Sequence, residues 1–109
     1  IKLFGKGEER RDHIWVNDVA EIMYNCIVYN TIGTINAVSG KITSFFELAK
    51  KLKFTLKSKS KIIFTKRKGK MPHGGDRAFN NNLIKKLFPK FKINKLEIIF
   101  QQYKNYEKY

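Results

Sequence analysis

Arg10, Arg11 and Arg77 are the side chains whose type and setting best suit chemistry in this chain, and that chemistry is anion recognition. A guanidinium is a planar fork that donates two parallel charge-assisted bonds to one phosphate. Arg10 and Arg11 stand at a strand entrance in RRDHIWVNDVAEI, residues 10–22, with Asp12 placed to orient one of them. Arg77 follows the flexible HGGD stretch and precedes a helix. A surface charge or a structural salt bridge is the competing role for each, and spacing alone leaves both open.

Reactive groups are harder to find. His13 and His73 are far apart and fall in no HxxxH or Cys/His ligand pattern. No Ser sits in a nucleophile elbow, and Asp12, Asp18 and Asp76 form no paired-carboxylate motif. Lys6-Gly7 lacks the GKS or GKT ending of a phosphate-binding loop, so Gly5-Lys6-Gly7 reads as a turn. Cys26 is the single cysteine, which excludes an internal disulfide, offers no metal set and fits a buried thiol on a helix. The spacing assigns no catalytic residue.

The elements that must position the arginines fit one small domain of 109 residues, with 42% hydrophobic and 14% aromatic residues arguing for packing against disorder. Net charge is +14, from 23 Lys+Arg against 9 Asp+Glu, which favours nucleic acid, phosphate groups or an acidic membrane face as partner. Lys outnumbers Arg, and Asn, Ile, Phe and Tyr are frequent. These residues share A/T-rich codons, so base composition supplies part of the bias. The basic residues read as spread along the chain. No signal peptide and no bilayer-length apolar run occur, so the expectation is a cytoplasmic protein with no membrane partner. The sequence starts in a strand-like run at Ile1, without Met, as a truncated chain would.

IKLFGKGEERRDHIWV reads as two short strands around the Gly5–Gly7 turn, with Ile14 and Val16 alternating. Asp18 then caps a helix, with Glu21 completing a capping box, and Val19, Ile22, Met23, Cys26 and Ile27 form its inner stripe. TINAVSG reads as a short buried strand whose uncovered edge would leave the isolated chain marginal or self-associating. Ser44 and Glu47 box the start of FFELAKKL; Phe45, Leu48, Ala49 and Leu52 face inward, and the lysines at 50, 51 and 53 face solvent. KIIF, residues 61–64, is a strand, and Thr65 to Gly75 is a basic loop long enough for a binding role. Leu83, Ile84, Leu87 and Phe88 line a short helix stopped by Pro89. Asn94 and Glu97 cap the last helix, lined by Leu96, Ile99, Phe100, Tyr103 and Tyr106. The alternation is that of an α/β architecture.

The ordered series FGKGEERRDHIWVNDVAE, GTINAVSG, TSFFELAKKL and HGGDRAFNNNLIKKLF resembles the C-terminal part of NAD-dependent epimerase/dehydratase proteins, the extended short-chain dehydrogenase/reductases. The resemblance runs through almost the whole chain, and RRDHIWVNDVAE is its best segment. It implies that residues 1–109 are a single C-terminal substrate-binding lobe, an incomplete Rossmann-type architecture. Arg11 matches an arginine that faces nucleotide-sugar phosphates. Arg77 corresponds to an arginine of the C-terminal substrate-binding segment, with Met71-Pro72-His73 where many relatives carry Arg-Pro-Gly. Asp18 matches a helix-capping aspartate, and Asn36 a common Asn position.

The family's GxxGxxG fingerprint and its Tyr-xxx-Lys pair have no counterpart here, since Tyr24, Tyr29, Tyr103 and Tyr106 lack a lysine four residues on. The resemblance therefore implies NAD or NADP bound by an N-terminal Rossmann lobe absent from this chain, and no cofactor or turnover with the chain alone. Its implied partners are that lobe, a nucleotide sugar and a second copy of the parent. The parent's reaction would be epimerisation, dehydration or reduction. A stand-alone basic module for nucleic acid such as RNA is the alternative reading, and a degenerate remnant is a third.

Overall fold

Two glycines set the first turn. Gly5 and Gly7 take φ of 59° and 68°, and the chain reverses between β1 (Lys2–Phe4) and β2 (Arg10–Asp12). A Cβ on Gly7 would stand 3.0 Å from the backbone nitrogen of Phe46, whose N–H donates to the Gly7 carbonyl at 2.9 Å. The turn is thus pinned to the next layer. The computed structural model describes residues 1–106, with the backbone alone for 105 and 106.

The order continues as α1 (Val16–Val28), β3 (Ile42–Ser44), α2 (Phe45–Thr55), β4 (Ile63–Thr65), a 3-10 turn (Pro72–Gly75), β5 (Asp76–Arg77), α3 (Asn82–Leu87) and α4 (Leu96–Tyr106). β1 pairs in parallel with β4, Leu3 opposite Phe64. β2 is the middle of a second sheet, antiparallel to β3 and parallel to β5. The chain is a mixed α/β domain of helices around two small sheets. No helix among the described residues is long and apolar enough to cross a membrane.

Local chemistry explains the helix ends. Ser44 and Glu47 form the expected reciprocal capping box on α2. Lys57 ends that helix in the left-handed region at φ 51°, with its N–H on the Phe54 carbonyl and the Ser58 N–H on that of Lys53. Asn30, at φ 48°, ends α1 through the same pair of bonds, to Ile27 and from Thr31 to Cys26. Asn suits this conformation, so α1 ends at Val28, ahead of the Gly33 that the sequence offered as its breaker.

Several expectations are corrected. α1 begins at Val16 behind Trp15, whose side chain makes no capping bond. Asp18 is therefore no cap. It lies in the first turn at 1% exposure, and its carboxylate accepts from the Asn94 backbone N–H at 3.0 Å and the Asn94 amide at 2.6 Å. A carboxylate at that depth needs donors of its own, and Asn94 supplies them instead of capping α4. Residues 34–39 form no strand, because no neighbouring strand pairs with them. Ile35 and Ala37 still pack against the core of Ile22, Ile84 and Phe88. Ile14 and Val16 do not extend β2. On the helices, Met23, Ile27, Leu83, Leu87 and Tyr103 face out, whereas Lys53 is half-buried. The Tyr106 side chain lies outside the described residues.

The fold is a slab. Its extents are 46 × 39 × 18 Å, and its radius of gyration is 16.4 Å where about 13 Å is usual for this length. It exposes 8640 Å², where a compact monomer of this mass would expose about 6,300 Å². Large apolar side chains are among those exposed. On α1, Met23, Tyr24, Ile27 and Val28 are all exposed, Ile27 at 75%.

Candidate anion-binding site

The parallel pairing of β2 with β5 sets Arg11 opposite Arg77 and Arg10 opposite Asp76. Residues paired across a ladder share a face, and successive residues alternate faces. One face thus carries the Arg10–Asp76 ion pair, and the other carries the two arginines singled out by sequence. Of these, Arg77 is open. Its guanidinium lies 5.3 Å from the centre of the Phe79 ring and 3.3 Å, through Nη1, from Nε2 of His73. His73 is itself held at φ 52° in the 3-10 turn.

Arg11 is more committed. One Nη donates to the carbonyls of Arg10, at 2.8 Å, and Gly75, at 3.4 Å. The other is paired with Glu9. A guanidinium has five N–H groups, so Nε–H and one Nη–H stay without a partner among the described residues. Arg11 is a structural ion-pair member with spare donors. Glu9 also takes Arg67 at 2.8 Å, which makes a half-buried Arg11–Glu9–Arg67 triad. Glu9 was not singled out from sequence, although its offset of two from Arg11 places both on one strand face.

Asp12 orients neither neighbouring arginine. Its two oxygens accept from the backbone N–H groups of Ser39, at 2.8 Å, and Gly40, at 2.7 Å. Arg10 is paired with Asp76 instead, and that contact holds both the Asp76 carboxyl below and the Arg10 guanidinium above their usual values. Gly40 takes φ 75° against Asn81, whose amide donates to the Ser39 carbonyl at 2.8 Å. Asp12 therefore pins the 39–40 turn under the sheet. Asn36 is exposed nearby in sequence, and Cys26 is a half-buried free thiol on the core.

His13 sits at the edge of a cleft of about 310 Å³, facing Lys41, Lys51 and Asn94. Its Nε2 is buried without a partner among the described residues. Burial pushes its pKa below 6.5, and Arg11 adds to that, while the Thr43 backbone and Asp12 pull upward. The folded chain then binds fewer protons than the unfolded one, so this contribution is whole above about pH 6.5 and is lost as pH falls. Stability is expected to decline as pH falls below about 6.5, and His13→Gln to flatten the decline. Equal declines in both chains, followed by urea unfolding, would remove His13 as the cause.

Sequence reasoning also missed a concentration of charge. Residues 50–70 hold ten Lys or Arg and no Asp or Glu. They run from the second turn of α2 through β4 into the basic loop. The basic residues are therefore not evenly spread, and a windowed charge count would have found this stretch. Among the described residues no group of three His, Cys, Asp or Glu is placed to hold a metal ion. No protein-family model matches the chain, and no curated protein is similar to it.

Proposed function

We propose that this chain is the substrate-binding lobe of an NAD-dependent nucleotide-sugar epimerase/dehydratase, without turnover when alone. The β2–β5 register carries the reading, because it sets side by side the two arginines that the sequence resemblance assigns to substrate phosphate. Arg77 presents an open guanidinium backed by Phe79, and Arg11 keeps two N–H donors beside it. The pair would bind a diphosphate by charge-assisted bonds and hold the sugar toward the nicotinamide. NAD or NADP would be bound by a Rossmann lobe outside this chain, and that cofactor would supply hydride transfer. The apolar slab surface, α1 above all, suits burial against such a lobe.

The test is calorimetric titration of UDP-sugars and dTDP-sugars into the chain joined to a cofactor-loaded Rossmann lobe. Arg77→Ala should weaken nucleotide-sugar binding about 10- to 100-fold, equivalent to about 1.5–3 kcal/mol, and leave NAD binding intact. Lys90→Ala, away from the strand pair, should change little. Equal nucleotide-sugar affinity in the parent and in Arg77→Ala would end the assignment. Turnover by the chain alone would end the lobe reading.

A further inference from the structure

Between α2, the segment after it and α4 lies an open groove of about 990 Å³. Phe46, Phe54 and Ile62 supply its apolar floor, and Lys50, Lys53, Lys57 and Lys104 stand around it. Among the described residues, no acidic side chain lines it. Phe54 is 87% exposed, a large cost in water for a residue that stabilises no core. Phe46 is steadied by Phe64 at 5.6 Å and carries the Lys50 ammonium 4.7 Å from its ring centre. The neighbouring Lys51 is neutralised by Glu97 at 2.6 Å, whereas none of the four rim lysines has an ion-pair partner among the described residues. Beyond Lys57, exposed Lys59 and Lys61 continue the positive track out of the groove.

We infer that this groove binds single-stranded nucleic acid, with bases stacked on Phe54 and Phe46 and phosphates along the lysines. Aromatic faces accept any base, and a lysine rim neutralises a sugar-phosphate backbone without reading sequence. The groove is open to solvent and does not enclose a ligand, which suits a polymer better than a small anion. Its concavity suits a strand laid into it better than a flat lipid surface. The site is separate from the Arg11–Arg77 face, and its test uses no nucleotide sugar.

Fluorescence anisotropy of labelled oligouridylate, about 12 nucleotides long, is measured on the whole chain between about 50 and 200 mM salt. Phe54→Ala should weaken binding roughly 5- to 100-fold, and Phe54→Tyr should retain it. Lys50→Gln with Lys57→Gln should lower the slope of log affinity against log salt by about 1.4, two contacts at about 0.7 each. Lys90→Gln with Lys92→Gln, outside the groove, should leave affinity within about twofold. The inference fails if Phe54→Ala binds as the parent does, or if both lysine pairs lower the slope equally, which is diffuse attraction. It fails as well if Phe54→Ala abolishes capture by phosphatidylserine vesicles but spares oligouridylate, which would make the face a membrane contact.

Discussion

Replacing Glu9 with alanine is expected to destabilise the chain by about 3–5 kcal/mol, enough to unfold it at room temperature given its thin core. The Glu9 carboxylate is 11% exposed and stands between Arg11, at 19%, and Arg67, at 20%. Its removal leaves two guanidinium groups facing one another where water reaches them poorly. Arg67 already carries a buried Nε without a partner among the described residues. The triad also ties β2 to the loop after β4, so its loss loosens both sheets. The Arg10–Asp76 pair makes the contrast, because both side chains are 49% exposed. Arg10→Ala should cost far less than Glu9→Ala, because solvent screens an exposed pair. Urea unfolding followed by circular dichroism measures both, and the Glu9→Ala, Arg67→Ala double variant should lose less than the sum of the singles. A Glu9→Ala cost below that of Arg10→Ala would show that the triad is not what joins the sheets.

That the decisive carboxylate is Glu9 and not Asp12 shows where the sequence stops being legible. Local signals were strong where a few adjacent residues settle the outcome. Ser44 and Glu47 cap α2 by contacts three residues apart, and the Gly5–Gly7 turn follows from positive φ. The pairing of Arg11 with Arg77 needed the register of strands 66 residues apart, which no local pattern encodes. Periodicity failed on α1 for a different reason. A helical stripe predicts which residues share a face, but among the described residues no element covers Met23 and Ile27. Residues 34–39 likewise alternate as a strand should, yet a ladder needs a neighbour. The missed groove lysines were visible as a run free of acids, but their relation to Phe46 and Phe54 depends on α2 packing against α4.

Asp18 offers the sharpest separation of the two levels, because its local and tertiary roles predict different magnitudes. As a helix cap, Asp18→Ala would cost about 1 kcal/mol, and Asp18→Ser would restore most of it. The observed carboxylate is instead a tether at 1% exposure, accepting from the backbone N–H and the side-chain amide of Asn94. Two bonds to a charged acceptor are each worth about 1.5–3 kcal/mol, and truncation leaves the Asn94 donors facing a gap. Asp18→Ala should therefore cost about 3–5 kcal/mol, and Asp18→Ser should not rescue it, because its single oxygen, one bond closer to the backbone, does not reach the positions of Oδ1 and Oδ2 that the two donors use. Asn94→Ala should be costly too, and its effect should overlap that of Asp18→Ala in the double variant, since both break one link between α1 and the approach to α4. Unfolding midpoints of the four chains decide the matter. Rescue by serine with additive costs would return Asp18 to the helix end, and an unrescued, overlapping loss fixes it as the tether.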